Sequence, residues 1–349
     1  MESCRNVLLE FVVEEARQQL DLLGRSLRHT YYLSEVVAYA INRMPPMFAS
    51  TEADLRKFRQ DCIANKSKIA LTVQQALVGV RRDHERNPDP IPEMELHSAP
   101  YSLLKLQDLL QRHQLLWRDV PHALLEHLEE TLSGSERHTG IDGGGHRHVH
   151  LRSSHRNHSY SGANGAAPDR DSAATNTSKI ITADHYTLES SLGIVHALER
   201  LVIRMAQTKA VRMYGAEELK WLRLDDVVAT SLNRLPPMYA TTGQGINYWR
   251  QYARFNIGSE VSIIVQEALL ESYQLAEYRR QHPLIFYRIR REREQALIQV
   301  SQLFFSRQVR WQNIVPLTQE SVKRAQSGRV CWQRQLPNSQ DQVGGNRGM

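Results

Sequence analysis

Apolar residues recur at helical spacing along almost the whole chain. Near the start, Val7, Phe11 and Leu20 belong to a set of apolar positions three or four residues apart, and Ile69 and Val73 begin another set. Positions with that spacing lie on one face of an α-helix. Alternation of apolar and polar residues, which is typical of a half-buried strand, is not evident. The pattern therefore predicts an all-α protein with strand content near zero.

One part of this pattern occurs twice. The segment AINRMPPMFAST at residues 40–51 returns as SLNRLPPMYATT at residues 231–242. Further along, VQQAL at 73–77 matches VQEAL at 265–269 once a gap of one residue is allowed. Similarity that extends over several elements in the same order predicts two tandem copies of one small helical domain, rather than two similar loops.

Each copy predicts an opening helix, a second helix, a sharp corner, an extended segment and a closing helix. The corner follows from adjacent prolines, Pro45 and Pro46 in the first copy and Pro236 and Pro237 in the second. Proline disfavours α geometry in the residue before it, so two in succession end the helix and stiffen the exit. We therefore expect the same fixed corner in both copies.

The composition changes abruptly between residues 133 and 178, where Gly, Ser, His and Asn predominate. A segment with so few apolar side chains cannot offset the entropy lost when its backbone is ordered, which predicts a disordered linker. Histidines in such a segment lack the fixed geometry of a metal site, so no metal site is predicted. The organisation predicted for the whole chain is a helical domain at 1–95, a helical extension at 96–132, the linker at 133–178, a second helical domain at 179–275, a basic helical extension at 276–330 and a disordered tail at 331–349.

Charge and cysteine usage narrow the class of protein further. The formal net charge is +6 and the pI is near 9.2, which weakly favours an anionic partner, although basic and acidic residues are mixed. Cys4, Cys62 and Cys331 are scattered, so neither a disulfide framework nor a thiolate zinc site is expected. No apolar run is long enough to span a membrane, and the N-terminus lacks a signal-peptide core. We expect a cytoplasmic protein that does not bind membranes.

The residues around the two corners have the chemistry of a nucleotide-binding site. Arginine can bind phosphate or a guanine edge with two donors, an aromatic face can stack on a base, and Asn or Thr can bond to base edges. The candidate ligand-binding residues are Asn42, Arg43, Pro45, Pro46, Phe48 and Thr51 in the first copy and Asn233, Arg234, Pro236, Pro237, Tyr239, Thr241, Thr242, Arg250 and Arg254 in the second. The second copy is expected to be the better site, because it has more basic and aromatic residues.

Each of these residues also has a purely structural interpretation. An arginine in the last turn of a helix interacts favourably with the helix dipole, and asparagine can satisfy the last carbonyl groups. An aromatic residue after Pro-Pro can simply enter the core. The two interpretations differ for Arg234, because its replacement should weaken ligand binding in one and lower only the melting temperature in the other.

At these residues the sequence resembles the family of the late competence protein ComFB, small bacterial helical domains built around a motif like EVVAYALNRLPPxY. The resemblance rests on SEVVAYAINRMPPMFAST at 34–51, on NVLLEFVVEEARQQL at 6–20 and on the second copy at 225–242. It implies a receptor for cyclic di-GMP or cyclic di-AMP that has no enzymatic activity and usually acts as a dimer of helical domains. Two copies in one chain would imitate that dimer. Some members bind zinc through cysteines, and this chain lacks that cysteine cluster.

Two rival functions have different support in the sequence. Enzymatic activity has little support, because no P-loop, H-E-x-x-H or G-x-S-x-G motif is present. A DNA-binding regulator is stronger, because residues 278–300 are rich in arginine, although Glu292 and Glu294 suit an ordinary surface helix. The expected partners are a cyclic dinucleotide, a second helical domain in the same chain or another copy, and an unidentified downstream protein. No cofactor is expected.

Overall fold

Helices dominate the computed structural model, which describes residues 4–80, 89–96, 99–112, 115–139, 183–275, 281–306 and 308–333. The elements of the first half are β1 (Arg5–Asn6), α1 (Val7–Leu22), α2 (Arg25–Arg28), α3 (Leu33–Ile41), β2 (Phe48–Ala49), α4 (Glu52–Ala64), α5 (Lys66–Gly79), α6 (Glu93–Leu96), α7 (Ala99–Leu109), a 3-10 turn (Trp117–Asp119) and α8 (Val120–Thr139). The elements of the second half are α9 (Ala183–Leu192), β3 (Val195–His196), α10 (Glu199–Met213), α11 (Ala216–Leu219), α12 (Leu224–Arg234), β4 (Tyr239–Ala240), α13 (Gly243–Tyr252), a π-helical turn (Ala253–Ile257), α14 (Gly258–Gln274), α15 (Ile285–Leu303) and α16 (Ile314–Gln326). The all-α prediction is confirmed, since the strands of the described residues form two antiparallel pairs, β1–β2 and β3–β4, of two residues each.

The two copies fold as the same unit, which we call repeat 1 (residues 4–80) and repeat 2 (residues 194–275). In both, the helix before the corner buries the apolar stripe that its sequence predicts. The buried residues of these stripes are Val36, Val37, Ala40, Ile41 and Met44 in repeat 1 and Val227, Val228, Ser231, Leu232 and Leu235 in repeat 2. Leu235, which precedes the first proline, has the extended conformation that proline imposes, with φ −92° and ψ 151°.

The gap of one residue between the copies is absorbed by the π-helical turn. Helices α4 and α5 meet at Asn65 in repeat 1, whereas five residues form a π-helix between α13 and α14 in repeat 2. A π-helical turn accommodates an extra residue without ending the helix. Val73 and Val265, on the far side of the gap, consequently remain in equivalent positions and are both fully buried.

The two repeats pack against each other around a single hydrophobic core. Buried side chains of α1, α3 and α5 and of α10, α12 and α14 belong to one continuous cluster. Across the contact, β2 lies against α12 and β4 lies against α3. The two repeats thus form one packed unit in which the corner region of each touches the other.

The duplication continues into the extensions. Residues 102–117 align without a gap on residues 296–311, and both segments end in a buried tryptophan. The corresponding residues Gln111 and Phe305 have positive φ angles of 53° and 51°. That conformation is uncommon for residues other than glycine, so its presence at matched positions marks the two helix ends as copies. Sequence comparison misses this part, because few residue identities survive.

The two extensions cross over to the opposite repeats. After repeat 1 the chain reaches repeat 2, where Pro90 forms a bridge with Thr242. After repeat 2 it reaches repeat 1, where Leu284 forms the equivalent bridge with Thr51. Beyond these crossings, α7 and α8 pack with α15 and α16 in a second core. Each corner is therefore bordered by a segment from the other half of the chain.

Two predicted boundaries are wrong. Helix α8 continues to Thr139, seven residues into the segment that composition assigns to the linker. The predicted tail begins too early, because Trp332 is buried in the second core and donates its indole N–H to Glu129 at 2.9 Å. At Trp332, packing against a neighbouring element outweighs local composition. The rest of the predicted linker, and the tail after residue 333, lie outside the described residues.

Candidate functional site

The asparagines of the two corners hold the repeats together. Asn42 Nδ2 donates to the carbonyl oxygen of Tyr239 at 2.9 Å, and Asn42 Oδ1 accepts from the Tyr239 amide at 2.7 Å. Asn233 makes the same pair of bonds to the backbone of Phe48, at 2.9 and 2.6 Å. Each asparagine therefore satisfies both backbone groups of an aromatic residue in the opposite repeat. The side-chain amides of Asn42 and Asn233 thus bond to the backbone of the opposite repeat.

The aromatic residues of the corners lie inside the shared core. Phe48 is 4 % exposed and Tyr239 is 1 % exposed, so neither ring presents a face to a ligand. Between them lies His196, whose ring centroid is 5.6 Å from that of Phe48 and 4.8 Å from that of Tyr239, with edge-to-face geometry in both cases. Asn6 donates to the Tyr239 hydroxyl at 3.1 Å. The structural interpretation, an aromatic residue that enters the core, describes both rings.

His196 is a neutral buried base at the centre of this contact. Its Nε2 accepts from the Met238 amide at 3.3 Å, which leaves the ring proton on Nδ1. Burial lowers the pKa of His196 to about 3, and burial also raises the pKa of the Tyr239 hydroxyl well above its ordinary value. Neither group is charged near pH 7, so the centre between the repeats is a packing contact and offers no charge to a ligand.

The threonines of the corners cap the helices that follow. Thr51 Oγ1 accepts from the Asp54 amide at 3.1 Å, and Thr242 Oγ1 accepts from the Gly245 amide at 3.0 Å. A threonine hydroxyl at this position satisfies an amide that has no partner within the helix. Thr241 is half-buried beside the second cap. Thr51 and Thr242 thus have a structural function that explains their recurrence.

The arginines and the first prolines are the parts of the corners that face solvent. Arg43, Pro45, Arg234 and Pro236 are exposed, and the second proline of each pair is half-buried. The two arginines have different partners. Arg234 lies 2.5 Å from a carboxylate oxygen of Glu271, with Glu267 at 3.9 Å.

Arg43 stacks on an aromatic ring instead. Its guanidinium carbon lies 3.3 Å from the ring centroid of Tyr39, and its Nη1 donates to the Tyr39 carbonyl oxygen at 3.1 Å. A Cβ atom at Gly79 would lie 2.6 Å from that ring, so glycine is what allows Tyr39 to lie against α5. Among the described residues no carboxylate pairs with Arg43. Its outward face is therefore open to an anion.

Three substitutions between the repeats account for this difference. Repeat 2 has Thr230 at the position of Tyr39, and it has Glu267 and Glu271 at the positions of Gln75 and Gly79. Sequence reasoning missed Tyr39 and Gly79 as members of the site. The spacing of four residues between Tyr39 and Arg43 is the signal that could have identified the pair. The role of Gly79 depends on a contact between helices and leaves no local signal.

The two remaining candidate arginines lie on α13 and the π-helical turn. Arg250 forms two bonds to Glu95 of α6, at 2.8 and 2.7 Å, and Arg200 binds the same carboxylate at 3.0 Å. The bond from Arg250 is the main cause that lowers the pKa of Glu95 below its ordinary value. Arg254 is exposed, with its guanidinium 5.8 Å from the ring of Phe255. The structure thus joins Arg250 to the extension of repeat 1 rather than to the corner of its own repeat.

The fold and the two corners define a class of protein, a tandem helical repeat whose halves share one core. The family described as Late competence development protein ComFB matches the chain twice, at residues 5–84 and 197–272. Two segments of the chain, together a little less than half of it, are therefore similar to this family. No curated protein and no solved structure matches it. Among the described residues, no helix has the length and apolar character needed to cross a membrane.

Proposed function

We propose that this chain is a receptor, without enzymatic activity, for a cyclic dinucleotide such as cyclic di-GMP or cyclic di-AMP, and that the corner of repeat 1 binds it. The observation that carries the proposal is the stack of Arg43 on Tyr39, in which an exposed guanidinium lies 3.3 Å above the ring and pairs with no carboxylate in the described part of the chain. A guanidinium fixed in this way can offer paired donors to a phosphate or to a guanine edge. The ring fixes its plane in advance.

The surroundings of the corner also favour an anion in repeat 1. A cavity of about 80 Å³ adjoins Pro45, and its lining includes Asn65 and Lys68. The residue that corresponds to Lys68 in repeat 2 is Glu260. A phosphate group beside Arg43 would meet a cation stacked on Tyr39, whereas one beside Arg234 would meet the carboxylates of Glu267 and Glu271, so attraction favours the first corner. This ranking is the reverse of the one expected from composition alone.

Calorimetric titration of the full chain with each cyclic dinucleotide tests the proposal. Arg43→Ala should weaken binding by about 10- to 100-fold, because a hydrogen bond to a charged group contributes about 1.5 to 3 kcal/mol. The melting temperature should be unchanged, since Arg43 is exposed. Arg234→Ala is the matched control and should change affinity by less than about threefold.

Three results would overturn parts of this assignment. If neither ligand binds the wild-type chain, the receptor function is wrong. If Arg43→Ala binds normally, the site lies elsewhere. A large loss in Arg234→Ala alone would return the site to repeat 2.

We further propose that one chain is a complete receptor that signals to a downstream protein. Arg43 directly follows Asn42, which binds the backbone of Tyr239, so a ligand at the first corner acts next to the contact between repeats. Light scattering should show a monomer, because the contact that relatives would make between two chains is made within one. A dimer would contradict this part of the proposal.

A role in DNA binding through the basic helix α15 has less support. Arg288 pairs with Glu292 at 3.0 Å, and Arg290 pairs with Asp225 of repeat 2. The helix also begins with Ile285 and Phe286, which are buried against repeat 1. Arg288, Arg290 and the apolar face of the helix are thus engaged within the protein, which is the pattern of a packed surface helix.

A further inference from the structure

A second candidate binding surface lies on the outer side of α13 and the π-helical turn. Its aromatic side chains are Tyr248, Tyr252 and Phe255, with exposures of 61, 39 and 77 %. Tyr248 and Tyr252 are four residues apart and so lie on one side of α13, and Phe255 follows in the π-helical turn. We call this surface the aromatic face. Large apolar groups exposed side by side on a soluble domain usually mark a binding surface.

Repeat 1 shows that the ComFB fold does not require these rings. The residues at the corresponding positions of α4 are Lys57, Asp61 and Ala64, an ordinary solvated helix surface. The π-helical turn that carries Phe255 also belongs to repeat 2 alone, since α4 and α5 meet without one. The aromatic face is therefore a feature added to one copy.

The aromatic face is held in place from beneath. Trp249 is half-buried and packs against the shared core. Its ring centroid lies 5.1 Å from that of Tyr248 and 6.0 Å from that of Tyr252, with edge-to-face geometry in both pairs. Edge-to-face contacts between aromatic rings are favourable and directional. The two tyrosine rings are thus positioned before any partner arrives.

The polar residues around the rings indicate which partner fits. Residues 243–258 contain no Asp or Glu. The other exposed side chains of α13 and the turn include amides and one arginine, namely Gln244, Asn247, Gln251, Asn256 and Arg254. Rings interspersed with amides and an arginine, on a segment that contributes no carboxylate of its own, suit stacked bases joined by phosphates.

We infer that the aromatic face binds single-stranded nucleic acid by base stacking, with little preference for sequence. A step of four residues rises about 6 Å along an α-helix, so the rings of Tyr248 and Tyr252 can each receive one base of an extended strand. Arg254 is placed to contact a phosphate. A duplex is a poor ligand, because its bases stack on one another and offer no free face to the rings. This inference does not depend on the cyclic dinucleotide or on Arg43.

Fluorescence anisotropy of labelled twelve-residue oligo-dT and oligo-rU with the full chain tests the inference. Binding should saturate with at least one oligomer, and Tyr248→Ala, Tyr252→Ala and Phe255→Ala should each weaken it by about 5- to 100-fold. Tyr248→Phe keeps the ring and should bind normally. Leu22→Ala is the matched control, because Leu22 is an apolar residue of repeat 1 that is 86 % exposed.

The salt dependence distinguishes this surface from a basic helix. With one phosphate contact, raising the salt concentration fourfold should weaken binding by only about threefold. The inference is overturned if neither oligomer binds, or if a variant that lacks all three rings binds normally with a steep salt dependence. It is also overturned if that variant changes the oligomeric state in light scattering instead, since the face would then join two copies of the chain. Far-UV circular dichroism should match the wild type throughout, because the replaced side chains are exposed.

Discussion

Repeats 1 and 2 share one fold but have opposite charge beside their corners. The closing helix of repeat 1, α5, contains Lys66 and Lys68 and no acidic residue. The closing helix of repeat 2, α14, contains Glu260, Glu267 and Glu271 and no basic residue. A duplicated domain can change its surface charge at little cost in stability, because solvated charges contribute little to folding. The comparison teaches that two copies of one motif need not be two copies of one site.

The contacts between the repeats have changed less. Asn42 and Asn233 make the same pair of hydrogen bonds. Asn6 and His196, which differ in type but occupy matched positions, also accept the same kind of bond. Asn6 Oδ1 accepts from the Met47 amide at 3.3 Å, and His196 Nε2 accepts from the Met238 amide at the same distance. A buried amide needs a hydrogen-bond acceptor, and either an asparagine oxygen or a histidine nitrogen can provide it. The position of the acceptor is therefore kept, although the type of residue has changed.

The largest effect is expected from the asparagines. Asn42→Ala would leave the amide and the carbonyl group of Tyr239 without their partners, which should lower the free energy of unfolding by about 2 to 4 kcal/mol. Asn233→Ala should cost a similar amount, because its bonds to Phe48 are equivalent. Urea unfolding of both variants measures this. Asn65→Ala is the control, since Asn65 is exposed and bonds only within its own helix. Equal midpoints for all three variants would show that the reciprocal contact contributes nothing.

A smaller, pH-dependent effect is expected from His196. Its pKa of about 3 in the folded protein lies below the value of about 6.5 in an unfolded chain. Folding therefore favours the neutral ring, whose contribution is complete above pH 6.5 and is lost as the pH falls towards 3. At pH 5 this one group should reduce the free energy of unfolding by about 2 kcal/mol.

The variant His196→Asn isolates that contribution, because asparagine is the residue at the matched position in repeat 1, Asn6, and it does not titrate. Urea unfolding at pH 7.5 and pH 5 should show a smaller decrease for His196→Asn than for the wild type. An equal decrease in both proteins would assign the acid sensitivity to other groups.

The smallest effect on stability is expected from Glu271→Gln. Its pair with Arg234 is exposed on both sides, so the free energy of unfolding should change by less than about 1 kcal/mol. The variant frees Arg234 and makes the second corner more like the first. If the carboxylate of Glu271 is what prevents binding at the second corner, calorimetry with a cyclic dinucleotide should show stronger binding at repeat 2 or a higher stoichiometry. An unchanged titration would mean that Tyr39, rather than the absence of carboxylates, makes the difference.

The sequence by itself determined the local features of this protein. Helical periodicity gave the helices and their buried stripes, and Pro-Pro placed the two corners, because spacing and proline geometry act over a few residues. The repeated N-R-x-P-P motif identified two copies of one domain. Alignment of the two copies showed the gap of one residue, but it did not show that the extra residue forms a π-helical turn.

Only the tertiary structure decided what each side chain at the corners does. The same types of residue could bind a ligand or hold the fold, and the outcome depends on partners far away in the chain: Tyr239 is held by Asn42, Arg234 by Glu271 and Arg250 by Glu95. The crossing of the extensions to opposite repeats also depends on contacts between residues far apart in the chain, such as Pro90 with Thr242 and Leu284 with Thr51. A local pattern records the chemistry that a residue can offer, whereas burial and distant partners decide whether that chemistry is still available to a ligand.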